Sequence, residues 1–277
     1  MLKEYDLKDK VAIVTGAGSG VGRGIALTFA EAGVDVAVAA RTKEKLDKTA
    51  EAICNLGRKA LVITADVTKK TDVQNVVAQT LKTFGKIDIM VNNAGIVVLK
   101  PVVYVPGMKL EGWGVADSWD TSLREKEWHR VLNTNLTSAF LFAQAIGPYM
   151  LERKKGRIIN ISSNSAELSP PYFSSYCVSK AALSMFTRCL ATEWGPYNVT
   201  VNAIAPGSVL TELSAPVLKD AERKERIIEA VPLQRLAEPR EIGLMAVYLA
   251  SDAAAYVTGQ TFLIDGGQVT RGNGFKL

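Results

Sequence analysis

The sequence of 277 residues has one histidine, His129, and three cysteines, Cys54, Cys177 and Cys189. A single histidine makes a Ser-His-Asp triad or a histidine-rich metal site unexpected. The cysteines are odd in number and follow no metal-ligand spacing. We therefore expect reduced thiols, no bound metal and a cytoplasmic protein.

Long apolar runs are also missing. No uncharged apolar stretch reaches the roughly 18 residues expected of a membrane-spanning helix. The opening MLKEYDLKDK lacks the apolar core of a signal peptide. The sequence therefore predicts neither a membrane span nor a secretion signal.

The charge balance is mildly basic, with a net charge of +5 and a pI of about 9.0. Basic residues are dispersed among acidic ones, and the densest cluster, RKK at 153–155, has no interleaved aromatic residues. This pattern favours a solvated surface over nucleic-acid binding. A mildly basic surface would also suit an anionic substrate or cofactor.

Short β-rich apolar runs alternate with longer helical patterns along the chain. This alternation predicts right-handed βαβ units and a parallel sheet covered on both faces. We therefore expect an α/β fold, a single Rossmann-like doubly wound domain over 1–277, with its ligand beyond the carboxyl ends of the strands. The predicted strands are 11–16, 34–41, 59–67, 86–95, 156–163, 199–207 and 259–267, and the predicted helices are 24–33, 43–57, 73–85, 125–151, 175–194 and 238–251.

A glycine-rich segment, TGAGSGVG at 15–22, joins the first predicted strand to the first helix. Without Cβ atoms, such a turn lets a pyrophosphate approach the backbone amides. The spacing is T-G-x-x-x-G-x-G, and the G-x-G-x-x-G fingerprint fails in every register. The position predicts a dinucleotide site, with a purely structural turn as the alternative.

Further motifs follow in order along nearly the whole chain. They are NNAG at 92–95, NTNLTSAF at 133–140, a Ser-Ser pair followed by YCVSK, VNAIAPGSVLT at 201–211 and GQTFLIDGG at 259–267. Together with the glycine turn, they make the sequence resemble the short-chain dehydrogenases/reductases, with the 3-oxoacyl-[acyl-carrier-protein] reductases as a close branch.

The candidate catalytic residues are Ser163, Tyr176, Lys180 and Asn135. Hydride transfer to a ketone creates an alkoxide that needs a proton. A tyrosine with a pKa of about 10 is a poor donor unless a nearby ammonium lowers that pKa. Lys180, four residues on, would share a helix face with Tyr176. The resemblance implies that Ser163 holds the substrate oxygen and that Asn135 holds a water; Ser162, facing the opposite way, is a weaker candidate. A surface Tyr–Lys pair, a strand-end cap and a helix-surface asparagine are the alternatives.

Cofactor contacts are implied by the same resemblance. Asp66 and Val67 would bond and cover the adenine, although Asp66 is otherwise a turn residue. Asn93 would stabilise the sheet, and the Val209 backbone would meet the carboxamide. The full set is Gly16, Ser19, Gly20, Val21, Gly22, Arg41, Thr42, Asp66, Val67, Asn93, Ala94, Gly95, Tyr176, Lys180, Pro206, Gly207, Val209 and Thr211.

The end of the second strand favours NADP(H) over NAD. Ala40 stands where an acid would bond the ribose 2′-hydroxyl, and Asp35 is at the wrong end of the strand. Arg41 suits a 2′-phosphate, and Thr42 adds a hydroxyl. The basic residue that the family often carries before the glycine matching Gly20 is replaced by Ser19. The alternative is that Arg41 is a solvated surface residue.

Two segments depart from a compact domain pattern. The insert at 96–128 is longer than usual by about a dozen residues, and such loops tend to be functional or disordered. Its Tyr104, Trp113 and Trp119 suit an apolar substrate pocket or a subunit contact. The polar segment at 210–236 suits a substrate lid, or an ordinary surface helix.

These features predict an NADP(H)-dependent reductase of a small-molecule ketone, or the reverse oxidation of a secondary alcohol. The alternatives are a 3-oxoacyl thioester reductase and a non-catalytic cofactor-binding subunit. Tyr197 stands where acyl-carrier-protein reductases often have an arginine, which weakens the first alternative. The resemblance implies a homotetramer or homodimer.

Overall fold

A computed structural model describes residues 2–104, 122–212, 214–215 and 219–271. In this part of the chain seven strands form a fully parallel sheet in the order β3-β2-β1-β4-β5-β6-β7. Chain order reverses between β1 and β4, which opens a crevice at their carboxyl ends. The strands are β1 Val11–Thr15, β2 Asp35–Ala40, β3 Ala60–Thr64, β4 Ile89–Asn92, β5 Gly156–Ile161, β6 Val199–Pro206 and β7 Thr261–Ile264.

Helices cover both faces of this sheet. They are α1 Gly20–Glu31, α2 Lys43–Asn55, α3 Lys70–Phe84, α4 Glu125–Leu132, α5 Ser138–Glu152, α6 Ser174–Trp194, α7 Ala221–Glu229, α8 Pro239–Ala250 and α9 Gln268–Arg271. A π-helical segment, Asn133–Thr137, joins α4 to α5. Within the described ranges, no helix has the length and apolar character needed to cross a bilayer.

The core lies in two layers, one on each face of the sheet. Ile25, Phe29 and Ile242 bury one face under α1 and α8, while Phe142 and Ile146 of α5 help to bury the other. Strands covered on both sides bury every residue, which is why β1, β4, β5 and β6 appear in the sequence as continuous apolar runs.

The predicted single Rossmann-like domain is confirmed, but two predicted helices differ from the structure. The first helix begins at Gly20 rather than residue 24, because the turn glycines themselves enter the helix and Arg23 N–H already donates to Ser19 O (3.1 Å). The helix predicted over 125–151 is interrupted by the π-helical segment.

Candidate active site

The glycine turn closes against the carboxyl end of β4. Gly16 and Gly20 have φ values of +66° and +53°, a region that other residues avoid. A Cβ placed on Gly16 would lie 2.7 Å from Asn93 Nδ2, and one on Gly22 would meet both that atom and the Gly16 carbonyl oxygen. Side chains on either residue would therefore fill the cradle between β1 and β4.

Asn93 fastens the two strand ends that border the crevice. Its Nδ2 donates to Thr15 O (2.8 Å), and its backbone N–H donates to Thr15 Oγ1 (3.0 Å). Ala94 N–H shares that hydroxyl (3.1 Å). The role implied for Asn93, bracing the sheet, agrees with these bonds.

Tyr176 and Lys180 lie on one face of α6, one helical turn apart. Lys180 Nζ sits 5.6 Å from the centre of the Tyr176 ring and donates to Ile161 O (2.7 Å). A Cβ placed on Gly95 would lie 3.5 Å from Lys180 Nζ. The ammonium thus sits beneath the backbone that follows β4, inside the crevice.

The protonation of this pair differs from the expectation that lysine lowers the tyrosine pKa. Burial raises the pKa of Tyr176, and a hydrogen bond with Ser163 acts in the opposite direction. Burial also lowers the pKa of Lys180 to about 8. In the protein alone, desolvation therefore sets the direction of the pKa shift for both groups, and the Lys180 ammonium is hydrogen-bonded to Ile161 O.

Ser162 and Ser163, which follow β5, have different hydrogen-bond partners. Ser163 caps a short 3₁₀-helix, Asn164–Ala166, and its Oγ accepts from Ser165 N–H (3.1 Å). Ser162 Oγ instead donates to Lys180 O (3.0 Å) and lies 2.9 Å from Ser184 Oγ. Ser162 therefore fixes α6 to the sheet, and Ser163 is the serine beside Tyr176.

Asn135 lies in the π-helical segment and is almost fully buried. Its Nδ2 donates to Ile96 O (2.9 Å) and Ser179 Oγ (3.0 Å), while Oδ1 accepts from Ile96 N–H (2.8 Å). Both amide hydrogens are used within the protein. Only the second lone pair of Oδ1 is left for the water that the resemblance implies.

The segment after β6 returns towards the glycine turn. Pro206 ends β6, Gly207 N–H donates to Ile264 O (3.0 Å), and Val209 forms a parallel bridge with Ala237. A Cβ placed on Gly20 would lie 3.3 Å from Thr211 Cγ2. The structure thus brings Thr211 next to the glycine turn at the start of α1.

The far rim of the crevice carries the residues expected near the adenosine. Arg41 and Thr42 are exposed beyond β2, and Val67 is buried. Asp66 Oδ1 accepts from Thr68 N–H (3.0 Å) and Oγ1 (2.7 Å), and these bonds lower the pKa of Asp66. Asp66 is therefore the turn residue that the alternative interpretation described, while its position at the rim still permits an adenine contact. The remaining predicted turn residues lie at the start of α1, with Ser19 as N-cap and Val21 partly buried.

Comparison with known proteins decides the family. A family model described as enoyl-(acyl carrier protein) reductase matches residues 16–268. The chain is a short-chain dehydrogenase/reductase. It is 37% identical over 265 residues to an NAD-dependent glycerol dehydrogenase of Listeria innocua serovar 6a, covering 96% of each chain. It is 35% identical over 260 residues to a 3-oxoacyl-[acyl-carrier-protein] reductase of Staphylococcus epidermidis, covering 94% of this chain and 98% of the relative.

A solved structure of the same family shares the fold. It is described as a 2-deoxy-D-gluconate 3-dehydrogenase from Agrobacterium tumefaciens with bound NADP. The TM-score is 0.83 at 31% identity, covering 97% of this chain and all of that one. The resemblance drawn from the sequence motifs is thereby confirmed for the short-chain dehydrogenase/reductase family and its fold.

Sequence analysis missed a polar pair beside Ser163. Asn164 Nδ2 donates to Gln268 Oε1 (2.9 Å), and Ser208 Oγ lies 3.4 Å from the same oxygen. Gln268 directly follows the GQTFLIDGG motif, so its place after the last strand was the one available signal. Its side-chain NH₂ has no hydrogen-bond partner among the described residues.

An ion pair joins the two described ends of the insert at 96–128. Lys100 Nζ lies 3.0 Å from Glu127 Oε1, and Arg124 Nη2 lies 2.6 Å from that atom. These cations hold the pKa of the Glu127 carboxyl far below its usual range. Tyr104 is half-exposed, and its N–H donates to Ser122 Oγ (2.9 Å). Trp113 and Trp119 lie outside the described residues.

Proposed function

We propose that this short-chain dehydrogenase/reductase is an NADP(H)-dependent oxidoreductase that interconverts a small ketone and its secondary alcohol, working as a reductase. The observation that carries the proposal is the meeting of Tyr176, Lys180, Ser163 and Asn135 at the carboxyl end of the sheet, beside Gly95. A single domain over 1–277 would carry the whole reaction, with 210–236 as the proposed substrate lid.

The residues around the glycine turn fit a dinucleotide. Side chains at Gly16 or Gly22 would occupy the cradle, and the first amides of α1 point out of the helix start, where they favour an anion. Gly16, Gly20 and Thr211 would hold the diphosphate, Arg41 and Thr42 the 2′-phosphate, and Lys180 the nicotinamide ribose. The nicotinamide supplies the hydride when bound.

The proton path follows from the buried side chains. Ser163 Oγ would donate a hydrogen bond to the substrate oxygen, and the Tyr176 phenol would transfer its proton to the alkoxide oxygen as it forms. Burial keeps Tyr176 in its neutral, proton-bearing form, and transfer of that proton would depend on the alkoxide accepting it and on the Lys180 ammonium favouring the tyrosinate. The Lys180 ammonium would then stabilise the tyrosinate, and Asn135 would support reprotonation through water.

The pair beside Ser163 bears on the substrate. The NH₂ of Gln268 has no hydrogen-bond partner among the described residues, and it would offer a donor near Ser163, because Asn164 follows Ser163 and holds Gln268. This donor suits a ketone or alcohol that carries further hydroxyl groups, which agrees with the glycerol dehydrogenase relative. We therefore favour a small hydroxylated substrate over the apolar one that the insert's aromatic residues suggested.

Coenzyme preference is tested by comparing kcat/KM for NADPH and NADH. We expect NADPH to be preferred, because Ala40 leaves no carboxylate to repel a 2′-phosphate and Arg41 is exposed at the rim. Introducing the carboxylate with Ala40→Asp should reverse the preference. A wild-type protein that uses both coenzymes equally, or prefers NADH like its glycerol dehydrogenase relative, would overturn this part of the proposal.

The role of Tyr176 is tested with Tyr176→Phe, assayed by NADPH oxidation on a panel of hydroxylated ketones. Turnover should fall by about 10²- to 10⁴-fold, because the general acid is lost, while the Kd for NADPH stays unchanged. Tyr197→Phe, on an exposed tyrosine, is the control. Unchanged turnover in Tyr176→Phe would refute the assignment.

A second candidate is reduction of a 3-oxoacyl thioester. The 35% identity to a 3-oxoacyl-[acyl-carrier-protein] reductase favours it. Adding an acyl thioester to the same panel separates the two activities. A protein that binds NADPH tightly yet reduces no carbonyl in the panel would instead be the non-catalytic subunit.

A further inference from the structure

A second pocket lies at the opposite end of the sheet from the active site. It is formed where β1, β4 and β5 begin and where α8 ends; it is open to solvent, and its interior volume of about 10 Å³ has room for about one water. Its lining residues are Lys10, Asp88, Ile89, Lys155, Gly156, Arg157, Ala250 and Asp252. Nothing in the proposed reaction uses these residues.

The two carboxylates of the pocket are already engaged by other groups. Asp88 accepts from Val11 N–H (3.0 Å) and lies 3.6 Å from Lys86 Nζ and 3.5 Å from Arg153 Nη2. Asp252 is largely exposed and lies 3.4 Å from Arg157 Nη2. Both carboxylates of the pocket therefore already pair with cations other than Lys10 and Lys155.

Lys10 and Lys155 lie close together in the pocket, and Asp88 and Asp252 are also near enough to act on the charge of Lys10. Neither ammonium forms an ion pair with any of the described residues. Burial lowers the pKa of Lys10, and the adjacent Lys155 lowers it further. Basic residues after α5 complement the carboxyl end of that helix, but Lys10 comes from the loop before β1, so helix polarity does not explain the pairing.

Arg157 adds an incompletely bonded cation. Its side chain is only 10% exposed, Nη1 donates to Gly156 O (3.1 Å), and the buried Nε has no partner. Burial lowers its pKa. Asp252 pairs with one nitrogen of this guanidinium, but a buried donor that stays unused is still costly.

We propose that this pocket, formed by Lys10, Lys155 and Arg157, binds a small phosphoryl group, either inorganic phosphate or the phosphate of a metabolite. A phosphoryl group has several terminal oxygens and up to two negative charges, which match three cationic groups better than a single carboxylate does. Because the interior has room for about one water only, the phosphoryl group would sit at the solvent-open mouth of the pocket, next to the two lysines.

The test is thermal unfolding of the full-length protein, saturated with NADPH so that phosphate cannot act at the coenzyme site. Inorganic phosphate at ten times its dissociation constant should raise the wild-type Tm by about 2–4 °C over sodium chloride of equal ionic strength. Titration calorimetry with inorganic phosphate gives the dissociation constant directly.

The variant is Lys10→Gln/Lys155→Gln, and the matched control is Lys48→Gln/Lys82→Gln, on two exposed lysines of α2 and α3. Without phosphate the first variant should be as stable as the wild type or more stable, because two like charges are removed. It should lose the phosphate response, whereas the control keeps it.

An equal phosphate response in the wild type and in Lys10→Gln/Lys155→Gln, or no heat of phosphate binding to the wild type, would overturn the proposal. If a phosphorylated metabolite binds more tightly than phosphate in a lysine-dependent way, the second source of the group is favoured. Both readouts are independent of catalysis and of the proposed function.

Discussion

At the residue scale, Lys180 is the group whose surroundings matter most for pH. Its ammonium is buried, and its pKa is about 8 rather than the 10.5 of an exposed lysine. Between these values the unfolded chain binds more protons than the folded protein, so this residue makes stability rise with pH. Below about pH 8 the folded protein bears the whole cost of a buried charge.

The change in unfolding free energy caused by Lys180→Met in the coenzyme-free protein should therefore be more favourable at pH 7 than at pH 9.5. The difference should be roughly 2 kcal/mol, less than the full shift between the two pKa values. The lost bond to Ile161 O affects both pH values alike and cancels from the comparison. Urea unfolding at the two pH values measures it, with Lys82→Met as an exposed control. A variant whose relative stability does not change with pH would contradict the assigned pKa.

The same residue marks what sequence can and cannot reveal about the site. The four-residue spacing predicted that Tyr176 and Lys180 share a helix face, because helical periodicity is a local property. The direction of the tyrosine pKa was not predictable. It depends on how deeply residues from distant parts of the chain bury both groups, and spacing carries no measure of burial.

At the scale of elements, two glycines with positive φ allow the effect of backbone strain on stability to be measured apart from an effect on coenzyme binding. Gly20 and Gly57 both have positive φ values, +53° and +77°. A Cβ on Gly57 would meet nothing within 4 Å, whereas one on Gly20 would project towards Thr211 in the crevice. The two positions therefore form a matched pair.

Gly20→Ala and Gly57→Ala should each cost about 1–2 kcal/mol of stability, because alanine is strained in this backbone region. Only Gly20→Ala should weaken NADPH binding, by tenfold or more, since its methyl group projects towards Thr211 at the start of α1, where the diphosphate is proposed to bind. Unfolding free energies and fluorescence titration with NADPH measure the two effects. Equal coenzyme affinity in both variants would show that the turn is structural only.

The helix carrying Asn135 shows why some elements elude sequence analysis. Between residues 125 and 151 the only potential breakers are Gly147 and Pro148, so one continuous helix was predicted, with no interruption near Asn135. The π-helical segment coincides with the bonds from Asn135 to Ile96 and Ser179. Those partners come from other parts of the chain. The π-helical segment therefore coincides with tertiary contacts, which helix propensity along the sequence does not show.

At the scale of the whole molecule, the fold was the most predictable feature. Every predicted strand has a counterpart in the sheet, because strands buried on both faces require continuous apolar runs bounded by turns. The pocket at the strand starts was not predicted. Lys10 lies far in the sequence from Lys155 and Arg157, and nothing in the pattern of the sequence shows that the sheet brings the three residues together.

Subunit association is the prediction that belongs to this scale. Phe140 of α5 is 44% exposed and Met185 of α6 is 54% exposed, and the Phe140 ring lies 6.4 Å from that of Phe186. Apolar surface of this kind usually marks a contact site. We expect a homotetramer or homodimer that uses this face.

Light scattering coupled to gel filtration should therefore give a multiple of the 29.9 kDa chain mass for the wild type. Phe140→Glu/Met185→Glu should lower the measured mass, because buried carboxylates would oppose association. Leu56→Glu, on an exposed leucine after α2, should leave the mass unchanged. A monomeric wild type, or a double variant of unchanged mass, would rule out this face.

The side chain of Asn135 behaves as an additional peptide unit, since it both donates to and accepts from the backbone of Ile96. Deamidation of Asn135 to aspartate would remove the hydrogen bond to Ile96 O, because a carboxylate has no hydrogen to donate. A carboxylate oxygen would then face the Ile96 carbonyl oxygen inside the protein, and the chain beside the reacting groups would be pushed away. The durability of the enzyme in storage thus depends on the integrity of one amide.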